Sequence, residues 1–168
     1  MKYFILIDCQ NDFCTEALAN PDFQKIVPAI VAKAKEAKEN GYRVIATRDT
    51  HGSNYSETQE GKNLPVPHCI KGTPGWEVID EIKPYVDEYV DKPTFGYLGW
   101  TSVIKAPEAI EMCGTVTSIC VSSNFAILKA TFPETPITVY KDLCSGLPNS
   151  PDHEAAITVM KMQQAIIS

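Results

Sequence analysis

The chain has 168 residues, of which 44% are hydrophobic and 21% charged, and its 15 Lys and Arg against 21 Asp and Glu give a net charge of -6. This length predicts a single domain over residues 1–168 with a hydrophobic core of its own. The acidic balance argues against a nucleic-acid partner, and no apolar run approaches the ~20 residues that span a membrane. Because the N-terminal segment becomes acidic at Asp8, it does not resemble a secretory signal, and the sequence predicts a cytoplasmic protein.

The six cysteines allow three interpretations: disulfides, a metal site or free thiols. No Cys-x-x-Cys pair is present, and nothing indicates export to an oxidising compartment. The sequence therefore favours reduced thiols, most of them small buried side chains.

Strand-like and helix-like segments alternate along the chain. The first strand is predicted from a continuous apolar run, and the helix after it from an apolar stripe opposite a charged face. The predicted strands are residues 2–7, 42–47, 88–91, 109–113 and 137–140, and the predicted helices are residues 23–40, 76–83, 118–132 and 152–166. A polar segment rich in Gly and Pro, residues 48–75, interrupts the pattern and is typical of a functional loop. The alternation predicts an α/β domain of three layers, α/β/α, with a doubly wound, mostly parallel, Rossmann-like sheet.

Polar residues that follow the predicted strands are candidates for chemistry, because folds of this kind bind ligands at the carboxyl ends of their strands. These candidates are Asp8, Asp49, His51, Lys92, the segment 114–120 and Asp142. The topology is expected to bring them to one edge of the sheet, although they lie far apart in the sequence.

Cys120 lies near the beginning of the predicted helix that follows Gly114. The partial positive charge of a helix N-terminus favours a thiolate, and its free N–H groups bind an oxyanion. On position alone, a packed core cysteine is the more common interpretation. Asp8, which follows an apolar strand, needs either a raised pKa or a cationic partner such as Lys92, unless it only caps a turn.

Two of the three histidines, His51 and His68, share one loop with Asp49. One carboxylate and two imidazoles suit a divalent metal site with open positions, and Glu57 is a possible fourth ligand. The same residues also suit an ordinary polar loop in which they cap turns.

Six motifs occur in order along nearly the whole chain. They are residues 8–13 (Asp-Cys-Gln-Asn-Asp-Phe), 47–51, 68–75, Lys92, 114–121 (Gly-Thr-Val-Thr-Ser-Ile-Cys-Val) and 140–145. Together they resemble the isochorismatase-like cysteine hydrolases, and within that family the nicotinamidase/pyrazinamidase branch. The resemblance implies the isochorismatase-like version of the α/β fold.

For the chemistry, the resemblance implies that Cys120 is the nucleophile, Asp8 the acid and base, and Lys92 the cation that favours the thiolate. The backbone amides of Val116 and Cys120 would form the oxyanion hole, next to a cis peptide between Thr115 and Val116. The reaction would be hydrolysis of nicotinamide to nicotinate and ammonia through a thioester, a step of NAD salvage.

For the pocket and the metal, the resemblance implies two sets of side chains. The substrate would contact Phe13, Tyr97, Thr115 and Ile119, with Trp100 as a further candidate. The metal ligands would be Asp49, His51, Glu57 and His68, holding zinc, or iron or manganese, since imidazole and carboxylate suit all three. The partners implied are a small amide substrate and further copies of the chain in a homo-oligomer, without nucleic acid or membrane.

Two positions depart from the family pattern. Pro65 stands where an aromatic residue usually precedes the second histidine, and Ser118 stands where an Asp often follows Thr117. The alternative activity is hydrolysis of another small amide or carbamoyl compound. A redox or metal-buffering protein and a non-catalytic binding relative are the alternatives from other classes of function.

Overall fold

The computed structural model describes residues 1–168 and contains one sheet of six strands. The strands are β1 (Lys2–Ile7), β2 (Arg43–Asp49), β3 (Glu88–Lys92), β4 (Ala109–Thr115), β5 (Ile137–Ser145) and β6 (Ile166–Ile167). The α-helices are α1 (Asn11–Cys14), α2 (Pro21–Glu39), α3 (Gln59–Asn63), α4 (Trp100–Val103), α5 (Ser122–Thr131) and α6 (Asp152–Met162). No helix is both long enough and apolar enough to cross a lipid bilayer.

All strand pairs are parallel, and their order across the sheet is β3-β2-β1-β4-β5-β6. The central strand β1 therefore pairs with β2 on one side and with β4 on the other, which confirms the predicted doubly wound α/β fold. The direction of winding reverses at β1, so a crevice is expected outside the carboxyl ends of β1 and β4.

Burial explains the apolar run of β1. Phe4, Ile5, Leu6 and Ile7 are all 0% exposed, because the strand lies in the middle of the sheet with both faces covered.

The long helix α2 has a defined beginning and end in the sequence. Asn20 accepts hydrogen bonds from the amides of Asp22 and Phe23, and Pro21 occupies the first helical position, where its missing N–H costs nothing. The helix ends before Gly41, whose φ of 77° is the left-handed conformation that terminates many helices.

The structure differs from the prediction in residues 76–83, which form no helix. Only short 3₁₀ turns, Pro74–Trp76 and Lys83–Tyr85, lie in this region. The backbone instead bonds to the segment after β1, with the amide of Asn11 donating to the carbonyl of Glu77 and the amide of Ile79 to the carbonyl of Cys9. Tertiary hydrogen bonds thus replace the helical ones.

The C-terminal helix is also shorter than predicted, because α6 ends at Met162 and Gln164 has a φ of 73°. The two isoleucines after it form β6 and pair with the free edge of β5. The helix predicted at 118–132 begins instead as a π-helical turn, Thr117–Val121, before α5. The segment 48–75 contains α3 and a 3₁₀ turn, Tyr55–Glu57, besides its irregular parts.

Candidate active site

The candidate residues at the strand ends come together as the topology predicts, with one exception. Asp8 follows β1, Asp49 ends β2 and Lys92 ends β3, while the segment with Cys120 follows β4. Asp142 does not join them, because it lies exposed within β5, which extends to Ser145.

Asp8, Lys92 and Cys120 form a buried trio. The Lys92 Nζ atom lies 2.7 Å from Asp8 Oδ2 and 3.5 Å from Cys120 Sγ. Asp8 and Lys92 are 0% exposed and Cys120 is 5% exposed. Thr47 orients the carboxylate, since its hydroxyl donates to Asp8 Oδ1 at 2.6 Å and accepts from the Asp8 amide at 3.0 Å.

The charges of the trio follow from burial and proximity. Burial raises the pKa of Asp8, and the nearby Lys92 ammonium opposes that rise. Burial by itself opposes the charge of Lys92, but the Asp8 carboxylate and the other anionic groups around it raise its pKa above the ordinary value. Lys92 is therefore a cation that neutralises the Asp8 carboxylate.

Cys120 does not have the lowered pKa that the sequence predicted. Burial and the Asp8 carboxylate raise the pKa of this thiol well above its ordinary value, and the Lys92 ammonium only partly offsets them. Desolvation therefore outweighs the helix N-terminus and the Lys92 cation in their effect on the pKa of this thiol.

Residues 114–121, termed here the nucleophile turn, have a backbone conformation that restricts which residues can occupy some of its positions. Gly114 has a φ of 131°, and a Cβ atom there would lie 2.1 Å from the carbonyl oxygen of Ile7. The peptide bond between Thr115 and Val116 is cis. The Val116 amide donates to no backbone or side-chain acceptor, so it is available to a ligand.

Four further side chains form a cluster beside the trio. One ligand atom from each of Asp49, His51, Glu60 and His68 lies within 4.8 Å of all the others. Asp49 Oδ2 lies 2.9 Å from His51 Nε2 and 3.5 Å from His68 Nε2. Glu60 Oε1 lies 3.5 Å and 3.6 Å from the same two nitrogens.

Glu57, predicted as the fourth member of this cluster, is exposed and lies outside it. Thr58 caps α3 by accepting from the Gly61 amide, and the helix that begins there places Glu60 beside the histidines. Glu57 and Glu60 lie three residues apart in one polar loop, so residue type alone does not show which of them joins the cluster. The backbone of α3 places Glu60 there.

The donor set of the cluster fits a divalent cation. Two carboxylates and two imidazoles are oxygen and nitrogen ligands that such ions bind, and a positive ion among them would balance the buried Asp49 carboxylate. The His68 Nδ1 atom lies 2.8 Å from the carbonyl of Val66, so Nδ1 donates and the Nε2 lone pair is directed to the cluster. Burial raises the pKa of Asp49, but the adjacent His51 imidazole and the Lys92 ammonium lower it below the ordinary value.

Gln10 holds Asp49 in place and was not singled out by the sequence analysis. Its Oε1 atom accepts from the Asp49 amide at 2.7 Å, and its Nε2 atom donates to the Asp49 carbonyl at 2.9 Å. The only signal for Gln10 in the sequence is its position in the motif of residues 8–13.

A cavity of about 1050 Å³ contains both the trio's thiol and the cluster. Of the predicted substrate residues, Phe13, Thr115 and Ile119 line it. Tyr97 does not, because its ring packs at 5.4 Å from that of Trp100, and Trp100 is fully buried. Both are bound to Asn124, through the Tyr97 amide and the Trp100 indole N–H.

Other apolar side chains line the cavity in their place. Phe95, Leu64 and Leu147 contribute to its wall, and Pro65 does not. The sequence places all three in loops, where periodicity does not indicate the direction of a side chain.

Comparisons with known proteins identify the family of this chain. The family model described as "Isochorismatase domain" matches residues 2–168. The nicotinamidase/pyrazinamidase of Mycobacterium tuberculosis is 30% identical over 119 residues, which is 68% of this chain and 61% of that protein.

Two solved structures share the fold over 99% of this chain and 98% of theirs. The nicotinamidase/pyrazinamidase PncA of Bacillus subtilis has a TM-score of 0.85 at 24% identity. The pyrazinamidase of Pyrococcus horikoshii in complex with zinc has a TM-score of 0.79 at 26% identity. The family match over almost the full sequence, joined to the six-stranded parallel fold, shows that this chain belongs to the isochorismatase family.

Proposed function

We propose that the chain is a metal-containing cysteine amidohydrolase that converts nicotinamide to nicotinate and ammonia. The observation that carries this proposal is the single cavity that holds the Cys120 thiol, backed by Asp8 and Lys92, together with the four-residue cluster. A thiol, a buried base and a second binding point in one cavity suit hydrolysis of a small amide.

In the first half of the reaction, Asp8 takes the thiol proton as Cys120 attacks the amide carbonyl carbon. The raised pKa of Asp8 suits this step, because a stronger base is needed for a thiol whose own pKa is raised. The carbonyl oxygen gains negative charge, and the amides of Val116 and Cys120 are the proposed donors to it.

In the second half, Asp8 returns the proton to the leaving nitrogen, so that ammonia departs and a thioester with Cys120 remains. Asp8 then takes a proton from water as the water oxygen attacks the thioester carbonyl. The C–S bond breaks, the acid product leaves and the proton returns to the thiolate. Lys92 stays charged throughout and limits the negative charge of the site.

Asp49, His51, Glu60 and His68 would hold the divalent metal, with zinc, iron and manganese all suited to these donors. Such an ion supplies a Lewis-acidic position that binds a ring nitrogen. Phe13 lies beside His68, with ring centroids 5.6 Å apart, and offers an apolar contact for an aromatic ring next to the cluster.

The charges of the cavity favour an uncharged substrate. Its lining contains Glu16, Asp49 and Glu60 but neither lysine nor arginine. Lys92 lies behind the lining and is paired with Asp8. Asp49 and Glu60 would balance the charge of the divalent ion, so no positive charge is left over for a substrate carboxylate, and neutral aromatic amides fit better than carbamoyl amino acids.

The proposal is tested by measuring ammonia release from four amides with purified protein. Nicotinamide and pyrazinamide contain a ring nitrogen, benzamide lacks it, and N-carbamoylglycine carries a carboxylate. We expect turnover of the first two, at least tenfold lower kcat/KM for benzamide and none for N-carbamoylglycine. Preference for N-carbamoylglycine would replace nicotinamide by the alternative substrate class, and release that persists in Cys120→Ala would refute the mechanism.

A further inference from the structure

Asp152 and His153, the first two residues of α6, contact the nucleophile turn. Ser118 Oγ donates to Asp152 Oδ2 at 2.5 Å, and Thr117 Oγ1 lies 2.8 Å from His153 Nδ1. Thr117 is 0% exposed, so its contact with His153 is part of the interior. The proposed reaction uses none of these four side chains.

Asp152 also holds the wall of the cavity. The amide of Leu147, which lines the cavity, donates to Asp152 Oδ1 at 3.0 Å. Gly146 packs so closely here that a Cβ atom on it would lie 2.7 Å from Asp152 Oδ1 and 2.9 Å from the Cβ of His153. One carboxylate thus connects the turn that contains Cys120 to the loop that closes the cavity.

The chemistry of this connection requires Asp152 to be ionised. Burial alone would raise the pKa of Asp152, but the hydrogen bonds it receives, that from Ser118 first among them, lower its pKa below the ordinary value. Hydrogen bonds to a carboxylate are about twice as strong as those between neutral groups. An Asp at position 118 would instead place a second carboxylate against Asp152, so the hydroxyl of Ser118 is what allows the contact.

We propose that Asp152 is a positioning residue for acyl transfer at Cys120. Its hydrogen bond with Ser118 holds the conformation of the nucleophile turn, so that the backbone N–H groups of Val116 and Cys120 stay oriented toward the developing oxyanion. This inference rests on the proposed function. It assigns part of the rate of the proposed hydrolysis to Asp152, which is not one of the groups that react with the substrate.

The test compares Asp152→Ala, Ser118→Ala and Ser118→Asp with the conservative variant Asp152→Asn. Thr158→Ala is the matched control, because the exposed Thr158 lies in α6 and its hydroxyl donates to the Glu154 carbonyl of the same helix. For each protein we measure kcat and KM for nicotinamide, the melting temperature, and the rate at which iodoacetamide alkylates Cys120, followed by mass spectrometry. Alkylation forms no oxyanion and therefore reports on the thiol alone.

We expect Asp152→Ala and Ser118→Asp to lower kcat by about tenfold or more, approaching the ~10²–10³ that loss of one oxyanion donor costs. KM and the alkylation rate should change by less than about twofold, because neither depends on how the backbone N–H groups of Val116 and Cys120 are oriented. Ser118→Ala should give an intermediate loss, Asp152→Asn should recover only part of kcat because one amide oxygen replaces two carboxylate oxygens, and Thr158→Ala should match the parent.

Unchanged kcat in both Asp152→Ala and Ser118→Asp would overturn the inference. An equal fall of kcat and alkylation, or the same loss in Thr158→Ala, would also overturn it, since either result indicates general loosening. The series is repeated with p-nitrophenyl acetate, an activated ester. A parent protein that hydrolyses the ester but not nicotinamide would refute the proposed substrate, and the ester series would still decide the role of Asp152.

Discussion

Lys92 is the one lysine or arginine of the chain that is buried, and two carboxylates depend on it. Its Nζ atom lies 2.7 Å from Asp8 Oδ2 and 3.7 Å from Asp49 Oδ1. A buried charge is strongly destabilising when its partner is removed, because the remaining ion has neither water nor a counter-ion. Lys92 therefore contributes to the stability of the fold as well as to the charge of the site.

We expect Lys92→Met to lower the free energy of unfolding by about 3–5 kcal/mol at neutral pH, the cost of leaving a buried charge unpaired. Lys83→Met is the matched control, because Lys83 is partly exposed and its pair with the exposed Asp80 contributes little. Urea unfolding measures both variants.

The same variant should show a defined pH dependence. Without Lys92, the pKa of Asp8 in the folded protein rises further above its ordinary 3.8, so the folded state binds the proton more tightly than the unfolded chain. The loss of stability in Lys92→Met relative to the parent is therefore smallest at about pH 3.8 and below, and it grows as the pH rises above that value. A deficit that is equal at pH 5 and pH 8 would contradict this account.

In the parent, the raised pKa of Lys92 adds stability that is lost only as the pH rises above 10.5.

Cys120 differs from the other five cysteines in facing the cavity. We expect Cys120→Ala to reduce nicotinamide turnover by at least about 10⁴-fold, since loss of a nucleophile leaves only binding and electrostatic effects. Cys14→Ala should keep most of the activity, because Cys14 is buried in α1 outside the cavity. Steady-state ammonia release compares the two. Activity lost in Cys14→Ala and kept in Cys120→Ala would reverse the assignment.

At the scale of elements, α2 is connected to the carboxyl end of β5 through its own cap. Asn20 Oδ1 accepts from the amides of Asp22 and Phe23, and its Nδ2 atom donates to Ser145 Oγ at 3.2 Å and to the Gly146 carbonyl at 2.9 Å. One side chain thus begins a helix and holds the loop that leads to Leu147 in the cavity wall.

We expect Asn20→Ala to lower the free energy of unfolding by about 1–3 kcal/mol, because it removes an N-cap and leaves buried polar groups unpaired. Asn20→Asp keeps the cap but loses the Nδ2 donor, so its loss should be smaller. Chemical denaturation distinguishes them, and equal stability of the parent and Asn20→Ala would show that neither bond contributes.

At the scale of the whole molecule, the four-residue cluster joins a long loop to the sheet. Asp49 ends β2, whereas His51, Glu60 and His68 come from the segment that follows it. A ligand that binds the folded state alone stabilises it by about 2.7 kcal/mol at a free concentration of 100 times its Kd. A metal held by all four residues would therefore raise the stability of the complete fold.

We expect Zn²⁺ to raise the melting temperature of protein that has been stripped with a chelator, and Glu60→Gln to reduce that rise. Glu57→Gln is the matched control, because Glu57 is exposed and outside the cluster. Differential scanning calorimetry at fixed ion concentration measures the rise, and elemental analysis counts the bound metal. Equal effects of the two substitutions would remove Glu60 from the site.

The sequence was sufficient for the architecture and for most of the residues that meet at the sheet edge. The apolar run of β1 predicts a buried strand, and alternating strands and helices predict a parallel sheet in which the residue after each strand lies at the carboxyl edge. The sequence pattern alone therefore places Asp8, Asp49 and Lys92 together.

Tertiary structure alone decided the features that depend on contacts between distant segments. The choice of Glu60 over Glu57 depends on how α3 is oriented against the histidines, and the position of Phe95 in the cavity, with Tyr97 packed on Trp100, depends on Asn124. Residues 166–167 form a strand because the edge of β5 offers unpaired backbone groups. Such contacts have no local pattern in the sequence.

The charge state of the thiol is the clearest case of this division. Local sequence places Cys120 near a helix N-terminus after β4, and that position alone favours a thiolate. In the folded chain, burial of the sulfur and the nearby Asp8 carboxylate raise the pKa of this thiol instead. Sequence determines which ionisable groups meet, whereas their charges depend on desolvation, and desolvation exists only once the whole chain has packed around them.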